Sequence, residues 1–271
     1  MDAKDQPAGG RSGAWWQPWQ VPQNHTLHGR LGPLALQVHH VQGEWRIAST
    51  TSVEQREPTC AEITVRPGCG DAEQWERILL ARADSQLALK PLLADRPVVI
   101  RPRQAIVLPG GEETVMYMST PISVRLEVGQ PPVVLREVSS VRLSDTWFGP
   151  STREGELCYA GKTGALHTLA EVPQRVHRAL TPVHIRNKGN SPLPLDKVSL
   201  PVPVLSLYGT PDGYLWTEGV TLVRSGESDM AALKVDSGPP AYAGQVTLIS
   251  DPRAPQARGG LVRAFSLLFG E

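Results

Sequence analysis

Cysteine is scarce in this chain: only Cys60, Cys69 and Cys158 occur among 271 residues. An odd, sparse count argues against a disulfide scaffold and for a reducing compartment. No CxxC pair exists, and the spacing of Cys60 and Cys69 fits neither a zinc ribbon nor a redox motif. Long apolar runs are missing as well. None approaches the ~20 residues that a membrane helix needs, and the N-terminal MDAKDQPAGGRSG has no apolar signal-peptide core. The expectation is a soluble, cytoplasmic protein without membrane insertion. Charge of one sign is equally absent. The chain carries 27 basic and 27 acidic residues with no block of either, which removes the electrostatic footprint of a nucleic-acid binder.

Catalytic signatures are also lacking. No GxSxG elbow, HExxH helix or GxGxxG turn occurs. AGKTGALHT resembles a phosphate loop only superficially, because the glycine before Lys162 has no partner glycine at the upstream spacing a Walker loop requires. A zinc site needs three or four converging ligands. His39 and His40 are adjacent on a strand and point to opposite faces, and His25 falls in an expected loop, so neither metal nor other cofactor is expected. Glu112-Glu113 and the pair Glu154 and Glu156 sit in turns, where solvated charge is the simplest role. Cys158, beside Tyr159, reads as a small buried hydrophobe.

What is present is turn chemistry and alternation. Gly and Pro number 25 each, which suits many short strands joined by turns. The organising stretch is Val98 to Val128, with apolar runs at Val98–Ile100, Ile106–Leu108 and Val115–Leu126. Pro109-Gly110-Gly111 supplies a reversal. Beyond Pro121, which is expected to break the run, Ile122, Val124, Leu126 and Val128 alternate with Ser123, Arg125 and Glu127. A period of two is a half-buried strand. The three runs are expected to form a central β-meander.

The remaining chain repeats the pattern. Leu34–Val38 and Trp45–Ile47 flank a Gln42-Gly43 turn and predict a hairpin. Ala61–Val65, Val133–Leu143, Glu156–Ala160, Ala232–Val235 and Gln245–Ile249 read as strands. Ala72–Leu93 fits either a helix opened by Asp71 or two strands, and the strand reading is preferred because its neighbours are β. Val183 and Ile185 lead into a turn at Asn187–Asn190, and a change of parity after Pro203 suggests a bulge. Asp212-Gly213 closes a second hairpin onto Tyr214–Trp216. Trp15, Trp16 and Trp19 either dock the polar N-terminal segment onto the body or leave a sticky site, and burial of so much apolar surface favours docking.

These segments resemble a family of uncharacterised proteins best known from archaea, the domain of unknown function DUF432. The resemblance rests on GPLALQV and GEWRIAS, on RPRQAIVLPGGEETVMYMSTPISVRLEV, on WFGPSTREGELCYA and on NKGNSPLPLDKVSLPVPVLSLY. It spans most of residues 30–225 and leaves the tryptophan cluster outside. It implies no activity and no catalytic residues.

The sequence therefore predicts an all-β protein of mostly antiparallel strands with little helix, in two sandwich-like halves. A flexible segment, 1–22, precedes domains 23–131 and 132–271, which meet near Gln130-Pro131-Pro132. The expected function is non-catalytic, an interaction module for an unidentified protein partner, with weak homo-oligomerisation compatible. The rival is a small-ligand or carbohydrate-binding or -acting protein. It would use Trp147, Tyr159, Tyr208, Tyr214 and Trp216 as a stacking wall and His167 or Glu156 as acid or base. The loop Gly149–Gly155 is the expected site on either reading, with Arg153 offering a planar donor fork to an anion.

Overall fold

Strands account for nearly all the regular structure of this chain, in several mostly antiparallel sheets, one of them curled into a half-barrel. The computed structural model describes residues 13–55, 57–80, 84–102, 106–161, 165–226, 230–255 and 261–265. Among these the only helical segments are single 3-10 turns at Leu169–Glu171, Val202–Val204 and Ala241–Ala243. The expected all-β class holds. The turn at Val202–Val204 stands where the parity change suggested a bulge.

Five strands make one antiparallel sheet, in the order Ala61–Pro67, His25–Leu31, Leu34–Val41, Glu44–Thr51, Glu76–Leu79. The Gln42-Gly43 hairpin is among them, with Gly43 at φ 71° as the tight turn requires. His25 lies on a strand rather than in the expected loop. The ambiguous stretch after Asp71 resolves into the strands Glu76–Leu79 and Gln86–Leu93, while residues 81–83 lie outside the described residues.

The centre of the molecule is one strand of 16 residues, Glu113–Val128. Met116, Met118, Ile122, Val124, Leu126 and Val128 are buried as the alternation predicts, but from Met118 to Val124 both faces are buried, Ser119, Thr120 and Ser123 included. Two expectations are corrected here. Pro121 does not break the strand, because the ladder changes partner at that point. Residues 113–121 pair with 178–186, residues 122–128 pair with 87–93, and Ile122 N–H donates to His177 O at 3.3 Å. A residue without an N–H is tolerated where one ladder ends and another starts. Nor do the three central runs form a meander. Val98–Ile100 pairs with Glu156–Ala160 and Val198–Leu200, and Val107–Leu108 pairs with Leu193–Pro194.

The long strand belongs to an eleven-stranded sheet that starts at Trp19–Gln20 and reaches Thr247–Ser250. Trp15 is wholly buried, and its indole N–H donates to Gly213 O at 3.2 Å. Trp19 donates in turn to Trp15 O at 3.0 Å. The tryptophan segment is thus docked, and residues 1–12 lie outside the described residues.

Candidate functional site

Two cations converge where the strand Arg178–Asn187 begins beside the long strand. Arg178 is buried. Its Nε donates to Ser119 Oγ at 3.0 Å, and its Nη2 to Ser119 O at 2.6 Å. Its Nη1 reaches both oxygens of Glu54, at 2.8 and 3.0 Å. Glu54 arrives from the five-stranded sheet, three residues past the end of Glu44–Thr51. Its Oε1 also accepts from Arg175 Nη1 at 3.1 Å and meets His177 Nε2 at 2.9 Å.

The electrostatics follow from that geometry. Burial pushes the Glu54 carboxyl up, but the His177 hydrogen bond and the Arg178 charge outweigh it and hold the group at about 2. Burial lowers His177 below its ordinary value, more than Glu54 raises it, so the ring is neutral at pH 7. A neutral ring that donates from Nε2 to Glu54 has Nδ1 free to accept from Thr59 Oγ1, 3.1 Å away. Burial brings Arg178 down to about 10, which leaves it charged.

Hydroxyl, imidazole and carboxylate in series is the order of a nucleophilic triad. Here the series is a clamp. His177 is completely buried under the turn at Gly32, where an added Cβ would sit 2.1 Å from His177 Nδ1. Its carboxylate is already shared between two guanidinium groups.

The clamp forms one wall of a cleft of about 990 Å3. Arg101, Arg142, Arg175, Arg178 and Lys197 line it against one described carboxylate, Glu54. Glu54 is committed to the clamp, and Arg101, Arg142 and Lys197 have no carboxylate partner among the described residues. Arg175, with a side chain only 8% exposed, keeps its buried Nε without a hydrogen-bond partner among the described residues. Such a cavity favours a negatively charged occupant.

The residues singled out in the sequence fall into two groups. Trp147, Arg153, Glu156 and Tyr159 lie on the hairpin Asp145–Phe148 and Glu156–Ala160 or in its loop. Trp147 lines the cationic cleft, and its indole N–H donates to Ser151 O at 2.7 Å. Arg153 is exposed in a turn whose N–H groups at 153 and 154 donate to Ser151 Oγ, and it is not among the cleft's lining residues. Burial raises the Glu156 carboxyl against the lowering pull of Arg263. Tyr159 donates its hydroxyl to Asp95 at 2.9 Å beneath the Arg96 guanidinium.

Tyr208 and Trp216 sit elsewhere, directly opposite each other on the large sheet. Tyr208 donates to Glu218 at 3.4 Å. Trp216, Tyr214 and Tyr242 line a second cleft of about 960 Å3. His167 Nδ1 lies 3.3 Å from Val115 O. Of the expected stacking wall, Trp147 lines the cationic cleft, Tyr214 and Trp216 line the second, and Tyr159 and Tyr208 line neither. Sequence reasoning missed Glu54, Arg101, Arg142, Arg175, Arg178 and Lys197, and also Tyr242.

Among the described residues no group of three or more His, Cys, Asp or Glu is placed to hold a metal ion. Nor is any helix among the described residues long and apolar enough to cross a membrane. No curated protein and no solved structure matches the chain. A family described as a protein of unknown function matches residues 15–269. The match begins at Trp15, so the tryptophan cluster lies inside the family's domain, not outside it as the resemblance suggested. With nearly its whole length covered, the chain belongs to the DUF432 family.

Proposed function

We propose that this protein is a non-catalytic binding protein whose cationic cleft captures a small anionic ligand. The observation that supports it is charge imbalance in a concave site. Arg101, Arg142 and Lys197 face one cavity with no carboxylate partner among the described residues, in a chain whose charge is balanced as a whole. Exposed cations of one sign repel one another, and an anion between them removes that cost. The cleft is large for a single ion and suits a ligand of modest size. Three unbridged cysteines support a reducing, cytoplasmic setting. Thermal melts in phosphate, pyrophosphate and sulfate test this reading. A ligand at a hundred times its Kd stabilises by about 2.7 kcal/mol, so pyrophosphate should raise the melting temperature of the parent more than that of Arg101→Ala or Lys197→Ala. Equal shifts in all three proteins would refute it.

A protein partner is the second reading. Trp147 and Leu157 stand opposite each other on the hairpin and are 49% and 44% exposed. Large exposed apolar side chains side by side are a feature of partner surfaces. Leu157→Ser, outside the lining of the cationic cleft, should leave anion binding intact while weakening partner capture, if a partner is what this surface serves.

A further inference from the structure

We propose that the ligand of this protein is a nucleoside phosphate, its phosphates in the cationic cleft and its base and sugar in the aromatic cleft alongside. The proposal rests on the anion-binding reading above and adds the other half of the molecule. The two clefts adjoin: Val172 and Pro173 line both. A row of rings also joins them. Tyr117, in the cationic cleft, meets Tyr242 edge-on at 6.2 Å, and Tyr242 meets Trp216 at 5.9 Å.

The clefts differ sharply in charge, and that difference orients the ligand. The cationic cleft has five basic side chains in its wall, whereas the aromatic cleft has no Lys, Arg or His among the described residues that line it. Its charged groups are Glu171 and Asp212, with Gln174 and Gln245 beside them. A phosphate is repelled there. Sugar hydroxyls and exocyclic amino groups are hydrogen-bond donors, and such acceptors suit them.

Tyr242 is the ring placed to stack on a base. It is 52% exposed, while Trp216 behind it is 7% exposed and supports it. Tyr242 lies in the 3-10 turn Ala241–Ala243, so its position is set by backbone as well as by the neighbouring rings. Aromatic side chains stack on every base with little sequence preference. Burial raises the Tyr242 hydroxyl well above its ordinary value, with a hydrogen bond to Tyr117 in support, so it stays protonated and uncharged at neutral pH.

Calorimetric titration of the full chain with pyrophosphate, adenosine, ADP, GDP and UDP tests the proposal. The nucleoside diphosphates should bind about tenfold or more tightly than pyrophosphate, and adenosine alone should bind weakly. Tyr242→Ala should bring ADP down to the affinity of pyrophosphate and leave pyrophosphate unchanged, while Tyr242→Phe keeps the preference. Arg101→Ala should weaken both. If ADP binds no more tightly than pyrophosphate in the parent, the nucleoside assignment is wrong and the anion site stands. If the preference survives in a folded Tyr242→Ala, the assignment is likewise wrong. If pyrophosphate itself does not bind, the anion reading fails and this proposal falls with it.

Discussion

Glu54 and Arg178 are 124 residues apart in the chain and 2.8 Å apart in the fold. The pair joins the five-stranded sheet to the large one, and it fixes one wall of the cationic cleft. Arg178 is buried and also holds Ser119, so its orientation is set by Glu54 and Ser119 together.

Removing the carboxylate should therefore cost far more than a surface ion pair. Glu54→Gln keeps the volume and leaves Arg178 charged and uncompensated. Breaking one side of a buried pair costs about 3–5 kcal/mol. Urea denaturation should show a loss of that order, against ~0–1 kcal/mol for Arg186→Gln at the exposed Arg186–Glu113 pair.

The same cluster should make stability fall in two stages on acidification. His177 titrates below its ordinary 6.5 in the fold, so the unfolded chain takes up its proton first, and stability declines as pH drops below about 6.5. Glu54 is held at about 2 against an ordinary 4.5, so its contribution is complete above about 4.5 and is lost as pH falls towards 2. Folding free energy measured from pH 7.5 to pH 3 should flatten in the upper stage for His177→Asn and in the lower stage for Glu54→Gln.

The tryptophan segment should behave as core. Trp15→Ala removes a wholly buried side chain and the hydrogen bond to Gly213, and large aromatic truncations cost about 3–5 kcal/mol. Limited proteolysis of the parent should stop before Trp15. In the variant, cleavage should run past Trp19.

The cysteines should separate cleanly by reactivity. Cys60 and Cys69 are exposed, whereas Cys158 is buried. Burial, with Glu156 adding to it, raises the Cys158 thiol to about 11. Mass spectrometry after alkylation at pH 8 should find the first two modified and Cys158 modified only in denaturant.

The sequence revealed strands well and pairing poorly, and the physical reason is locality. Alternation at Val124–Val128 and the Gln42-Gly43 turn are local signals, and both hold. Pro121 misled because its missing N–H is harmful only inside a continuous ladder, and nothing nearby in sequence shows that the partner changes there. The site was hidden for a related reason. Arg101, Arg142, the pair Arg175 and Arg178, and Lys197 come from four separate segments, and nothing local shows that the fold brings those segments to one cavity. Arg175-Val176-His177-Arg178 was the one local hint, and its carboxylate lies in the distant loop after Thr51. Tyr242 was passed over because it stands in a short 3-10 turn between strands, where no alternation marks it.

Anion capture by the cationic cleft is tested most directly by calorimetric titration of pyrophosphate into the parent and into Arg101→Ala/Arg142→Ala/Lys197→Ala. Arg101 and Arg142 are exposed, Lys197 is half-buried, and none of the three has an ion pair among the described residues, so the variant should stay folded with a melting temperature close to that of the parent. The parent should bind one equivalent, more weakly as salt is raised from 50 to 500 mM, because screening shortens the reach of exposed charge. The variant should lose at least tenfold in affinity. Binding that is absent in the parent, or unchanged in the folded variant, would contradict the account.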